Sequence, residues 1–360
     1  MPVRTLDSIL SRDQNNFDLV RMIAALAVIF GHAFSLHPTG GAVEPLNKVF
    51  GFTYSGAVAV DVFFFLSGLL ITGSFCQSRS VFRFVVMRVA RIWPGLLACL
   101  CMTVFVLGPL ITSMPLWHYI TSWHTREYML RNVLLQNISY TLPGVFISNH
   151  YPGAVNGSLW TLPIEIRCYA MVLLMGCLGV FKTKQRCLLV VMGLTLLLWP
   201  TGFGPAPEIF KLNASGEEKM PLLFALGMVC YVCRHSIRID ARLSGAALLV
   251  ALSMQGTWLG IAAFYCFVVN TVLVLSAWKA LRVRLPGDYS YGIYIYGFVA
   301  QQYLAHALPE LKAYPSLLIS IPMTCALAAL SWHAVEKPGM RLGRMLADWR
   351  ERGRTVADAA

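Results

Sequence analysis

Ionisable side chains are scarce in this chain and scarcest in its apolar runs. Well inside those runs stand Arg21, His32, Asp61, Glu165 and Arg167, with Asp18, Arg88, Arg91, Asp288 and Glu336 near the inner boundary. A charge in hydrocarbon is costly, so each is a functional candidate by default. Arg21 and His32 share the first run. Eleven residues of helix advance about 16.5 Å and turn by about 1,100°, three turns and a small remainder, so both side chains lie on one face. Asp61 lies about two turns in from the N-terminal end of its run, and Glu165 a little over one turn in from that of its own. A carboxylate beside an imidazole fixes its tautomer and raises its basicity, which is the arrangement of a general base. The same three residues would also serve as buried polar groups paired for folding.

A second group sits beside the apolar runs. Arg83, Arg88 and Arg91 crowd the segment Ser80–Pro94, which reads as an interfacial amphipathic helix. Arg88 and Arg91 are i, i+3 neighbours on one face. Their forked donors suit phosphate oxygens; anionic-lipid anchoring is the other use of such a pair. Glu336 falls at the same boundary, within reach of a pairing arginine.

The elements that must position these residues are membrane helices. Of 360 residues, 57% are hydrophobic and 13% charged, and the mean hydropathy is +0.63. A water-soluble globule cannot hide that much apolar surface, so soluble, disordered and collagen-like classes are excluded. The pattern predicts an all-α polytopic transmembrane helical bundle of about ten spans. These run near 17–36, 55–75, 93–113, 160–181, 187–203, 219–233, 243–254, 258–278, 291–308 and 315–336. The seventh is short enough to form a hairpin with the eighth around Gln255-Gly256. With the N-terminus in the cytoplasm, inside segments carry twenty-one of the 29 Lys and Arg and outside segments six, including Lys219. That asymmetry supports an even number of spans with both termini cytoplasmic. It also brings His32, Asp61 and Glu165 to similar depth in the outer half.

Residues 1–16 then form a cytoplasmic N-terminal segment, 17–336 the transmembrane domain and 337–360 a basic cytoplasmic tail. The longest outer segment, about Ser113 to Leu159, is rich in Trp, Tyr, Gly and Pro, which suits an interfacial or re-entrant cap. The net charge of +12 is dispersed along one membrane face, so nucleic acid is not an expected partner. Cys230 and Cys233 form a C-x-x-C without a second pair or a ligand histidine at zinc spacing, so no metal site is expected.

The same residues carry a resemblance to the membrane-bound acyltransferase family 3. Phe17-Asp18-Leu19-Val20-Arg21 leads into the Arg–His pair separated by ten residues. Gly56 to Gly68, centred on Asp61, is the second motif, and Arg88 and Arg91 followed by Trp93-Pro94 the third. Ser158-Leu159-Trp160-Thr161-Leu162-Pro163-Ile164-Glu165 is the fourth. Tyr289 to Tyr296, with Tyr291 and Tyr294, and Trp332 to Pro338, with Glu336, complete the set. The motifs stand in family order over residues 17–338. Two positions depart from the pattern: Gly297 stands where many members have His, and Arg167 where the residue is usually aromatic or apolar. No extra-membrane domain is expected beyond Glu336.

The resemblance implies an integral-membrane O-acyltransferase in a bacterial inner membrane, multi-pass, acting on exopolysaccharide, O-antigen or a secreted oligosaccharide. Acetyl-CoA would be a co-substrate, and no tightly bound cofactor is implied. Arg21, Arg88 and Arg91 would hold its phosphates. His32 would be the general base, oriented by Asp61 or Glu165, with Glu336, Tyr291, Tyr294 and Trp160 in support. The expected partners are acyl-CoA, a carbohydrate acceptor and membrane lipids. The alternatives are a transporter or flippase for a lipid-linked sugar, and the same enzyme with a succinyl or other acyl group.

Overall fold

The structure, a computed structural model, describes residues 4–38, 40–78, 80–198, 219–283 and 285–357. It is all-α apart from one two-residue antiparallel pairing, β1 (Arg4–Thr5) with β2 (Arg238–Ile239). The helices are α1 (Phe17–Leu36), α2 (Pro45–Phe50), α3 (Ser55–Cys76) and α4 (Val81–Cys101). A π-helical turn, Met102–Leu107, carries α4 on into α5 (Gly108–Ile111). Next come α6 (Leu116–Thr121), α7 (Trp123–Leu134), α8 (Thr161–Cys177) and α9 (Lys184–Leu198). The series ends with α10 (Lys219–Val232), α11 (Ala241–Ser253), α12 (Trp258–Ala277), α13 (Ser290–Ala307), α14 (Ala313–Ser331) and α15 (Lys337–Ala357).

The apolar runs become these helices, and polar residues at their edges cap them. Asn15 Oδ1 accepts from the Phe17 N–H at 3.1 Å, and Asp18 in the first turn of α1 faces the positive end of the helix dipole. Ser80 caps α4 through the Arg83 N–H at 3.2 Å, and Thr257 caps α12 through the Gly260 N–H at 3.1 Å. Each of the ten expected runs falls on a helix; the run 187–203 leaves the described residues after Leu198. Among the described residues six segments are long and apolar enough to cross a membrane: Phe17–Leu36, Ser55–Cys76, Val81–Ile111, Gly157–Cys177, Trp258–Ala277 and Ala313–Arg352. Lys219–Val232 and Ala241–Ser253 are apolar but shorter. Helix α13 is outside that set because Ser290, three tyrosines in its first half, Gln301, Gln302 and His306 dilute its apolar content.

The chain forms two compact units. The first comprises Met1–Ala24, Val43–Gln77 and Ile164–Pro286. In it α3 and α10 meet at glycines: a Cβ on Gly68 would come within 1.9 Å of the Phe224 carbonyl oxygen, and one on Gly227 within 2.2 Å of that of Phe65. Helices α11 and α12 form the expected hairpin, turning at Gly256 with φ +76°. The Asn16 amide ties the start of α1 to the end of α12, donating to Leu275 O at 3.0 Å and Trp278 O at 2.7 Å.

The second unit comprises Ala25–Ala42, Ser78–Pro163 and Gly287–Ala360. Here α13 packs on α14, and α4 on α15. Two sequence expectations change. The arginine-rich segment Ser80–Pro94 is not a separate interfacial helix but the first half of α4, which continues through Pro94. The basic tail is largely helical: α15 docks on α4, with Gly339 against Pro94 and Gly343 against Ala90, and with Arg83 paired to Asp348 at 2.5 Å and Glu351 at 3.4 Å. Charge pairing and absent side chains let the two helices lie close. The segment after α5 lies against α4 and the π-helical turn that follows it, through the Tyr119 hydroxyl on Val104 O at 2.9 Å and Trp93 Nε1 on Val133 O at 3.1 Å. Burial pushes the phenols of Tyr119 and Tyr128 up, so both stay protonated, and that of Tyr119 anchors the segment.

Candidate active site

The first unit holds both carboxylates expected near His32. Asp61, on the seventh residue of α3, is 1% exposed. Its Oδ2 accepts from Lys219 Nζ at 2.9 Å, and Lys219 also reaches the Tyr265 hydroxyl at 3.3 Å. Asp61 Oδ1 is buried with no hydrogen-bond partner among the described residues. Glu165, on the first turns of α8, accepts from the Tyr169 hydroxyl and from Ser67 Oγ, the latter at 3.4 Å. Each carboxylate therefore has partners within its own unit. Arg21 and Arg167 are half-buried. Lys219 was legible only as an outer-side cation; its standing at the very start of an apolar run was the available signal.

The second unit holds a polar ladder along α13. At its first rung the Arg91 guanidinium meets Asp288 Oδ2 at 2.5 Å and Glu336 Oε2 at 3.5 Å, and stacks over the rings of Tyr291 and Trp332 at 5.5 and 5.8 Å. Glu336 leaves a π-helical turn, Trp332–Glu336, and accepts from Ser331 Oγ at 2.9 Å. Such turns re-aim a side chain that a regular helix would carry elsewhere. The sequence placed Glu336 within reach of an arginine; Asp288 as its partner carboxylate lies 197 residues from Arg91 and was not legible as such. Arg88 stacks over Phe84 at 5.9 Å.

The Tyr291 hydroxyl donates to Ile92 O at 2.9 Å, and one turn up Tyr294 shares a 2.7 Å hydrogen bond with Thr161. Trp160, half-buried, closes the short 3-10 turn Gly157–Trp160 that leads into α8. Asn156 Nδ2 and Cys99 Sγ both donate to Ile295 O, at 2.9 and 3.3 Å. The His32 ring meets Phe298 edge-on, 5.1 Å between centroids. Its Nδ1 is buried without a partner among the described residues. Tyr291 and Phe298 are seven residues apart, so about 10 Å of helix separates the arginine rung from the histidine rung.

Beyond α1, His37 is buried and its Nδ1 faces Leu311 O at 3.2 Å. A carbonyl only accepts, so Nδ1 carries the hydrogen. Burial holds the His37 pKa below the usual histidine value, and the neutral ring persists.

In chemical terms this unit offers an imidazole with an unengaged buried nitrogen at one rung. A guanidinium set among carboxylates and aromatic rings stands at the other. A profile describing an acyltransferase domain matches residues 14–334. The chain belongs to acyltransferase family 3. It is therefore an enzyme, a multi-pass membrane acyltransferase, and the motifs that suggested the family lie almost wholly within the matched span. The O-acetyl transferase of Shigella phage Sf6 is 30% identical over 338 residues, covering 90% of this chain and 95% of that protein. Nodulation protein 10 of Rhizobium leguminosarum bv. viciae is 28% identical over 363 residues, covering 92% and 95%. No solved structure gives a significant match to this acyltransferase.

Proposed function

We propose that this acyltransferase moves an acetyl group from cytosolic acetyl-CoA to a hydroxyl of a cell-surface or secreted carbohydrate, in the inner membrane of a bacterium. The phage relative's name, O-acetyl transferase, supports the acetyl group. The observation that carries the reading is the rung-to-rung spacing on α13, a cationic group about 10 Å of helix from an imidazole. Arg88 and Arg91 hold the donor's phosphates by charge-assisted hydrogen bonds, and the donor's extended arm reaches towards His32. His32 takes the proton from the acceptor hydroxyl as its oxygen attacks the thioester carbonyl. A tetrahedral oxyanion forms and collapses, the C–S bond breaks, and the departing thiolate takes the proton back from the imidazolium. The products are the acetyl ester and free coenzyme A. Tyr291, Tyr294, Trp160 and Glu336 fix the helices around the path.

The test is acetylated glycan in producing cells that carry His32→Ala at wild-type protein level. The expected result is loss of the acetyl ester. Wild-type acetylation would remove His32 from the chemistry. Release of free thiol from acetyl-CoA, dependent on purified protein and acceptor, separates this enzyme from a sugar flippase.

A further inference from the structure

Three buried polar atoms, on residues that pack on Phe298 or stand next to or one turn from those that do, lack a hydrogen-bond partner among the described residues: His32 Nδ1, Ser158 Oγ and Gln301 Oε1. Ser158 is 1% exposed and Gln301 0%. Their placement is shared. The His32 ring packs on Phe298. The backbone of Gly157, the residue before Ser158, lies so close that a Cβ there would come within 2.6 Å of the Phe298 ring. Gln301 follows Phe298 by one turn of α13, and its Nε2 donates at 2.9 Å to the carbonyl of Ile29, one turn before His32. Only an N–H can face that carbonyl, so the amide orientation is fixed and Oε1 is the free end.

A buried polar atom without a partner is unfavourable, and native interiors hold few of them. Three about one ring mark a place where a bound group supplies the partners. Gln301 Oε1 can only accept, while Ser158 Oγ can donate or accept. The occupant must therefore bring at least one donor and is satisfied by bringing both, as a hydroxyl does. Tyr151, Leu36 and Ala154, which also pack with Phe298, are neutral. Tyr151 is 46% exposed and stands edge-on to Phe298 at 6.1 Å, giving an aromatic approach from the surface. An uncharged polyol with an apolar ring face fits this setting.

We propose that Ser158 and Gln301 hold the carbohydrate acceptor, Gln301 Oε1 accepting from one sugar hydroxyl and Ser158 Oγ bonding a second polar atom, so that the reacting hydroxyl stands at His32. This rests on the acetyl-transfer reading above. It makes Ser158 and Gln301 acceptor-binding residues and gives the site a preference for neutral over acidic sugars.

The experiment uses the full chain in detergent, with acetyl-CoA and the producing cell's own surface polysaccharide, stripped of acetyl esters by mild alkali, as the probe. Ser158→Ala removes a hydroxyl that bonds nothing among the described residues, so its melting temperature should equal or exceed wild type. Its KM for the polysaccharide should rise about three- to tenfold, the value of one neutral hydrogen bond, with the KM for acetyl-CoA unchanged. Gln301→Leu should show the same split. A raised KM for acetyl-CoA alone, or a lowered melting temperature with unchanged kinetics in both variants, overturns the proposal. If wild type transfers acetyl and both variants match it, this inference fails and the acetyl-transfer reading stands. If wild type transfers none, that reading fails and takes this one with it.

Discussion

At the scale of single residues, the charges that break the apolar sequence are almost all engaged. Asp61 is the clearest case, because its environment is nearly closed and Lys219 is its only ionic partner among the described residues. Removing Lys219 leaves a carboxylate in a dry site, whereas removing both charges does not. Lys219→Met should destabilise the protein by about 2–4 kcal/mol, somewhat below the cost for a fully buried pair since the lysine is partly exposed. Asp61→Asn combined with Lys219→Met should recover much of that loss. Thermal unfolding of the four proteins of this cycle in detergent checks it; additive losses would show that the pair is not coupled. The long-range partners explain why sequence stopped short here. Asp61 and Lys219 are 158 residues apart, and nothing local in either segment names the other.

At the scale of elements, the candidate site side chains depend on close helix contacts made by residues with no side chain. Gly68 and Gly227 set the approach of α3 and α10, and Gly68 adjoins Ser67, which meets Glu165. Gly68→Ala or Gly227→Ala must push the two backbones apart, at about 1–3 kcal/mol each. Gly245, on α11, has open space where a Cβ would go. Gly245→Ala should be neutral or stabilising by up to about 1 kcal/mol. Melting temperatures of the three variants decide the matter: equal effects at all three positions would mean that helix propensity, not contact, governs them. The ends of α1 and α3 were legible within a residue, because apolar runs and capping residues are local signals. The docking of α15 on α4 was not, because a basic segment beyond the last span has the composition of a solvated tail.

At the scale of the whole molecule, the excess of cations is a statement about sidedness. Two of the six cations assigned to the outer side, Lys219 and Arg131, are paired with Asp61 and Glu127. The positive-inside asymmetry then predicts cytoplasmic termini. A fluorescent protein fused after Ala360 should fluoresce, and alkaline phosphatase at the same place should be inactive. Active phosphatase there would invert the topology and with it the side from which the proposed donor arrives.

The sequence by itself determined the class of molecule, its membrane helices and the family, because apolar content, run length and motif order are properties of contiguous residues. Spacing within one helix likewise put Arg21 and His32 on one face, since α1 is continuous. Tertiary structure alone decided the company each residue keeps. It set Asp61 against Lys219, Arg91 between Asp288 and Glu336, and Gln301 against the carbonyl of Ile29. The reason is physical: in an interior with little water, a polar atom is governed by whichever distant segment packs beside it, and that choice belongs to the packing of the whole chain.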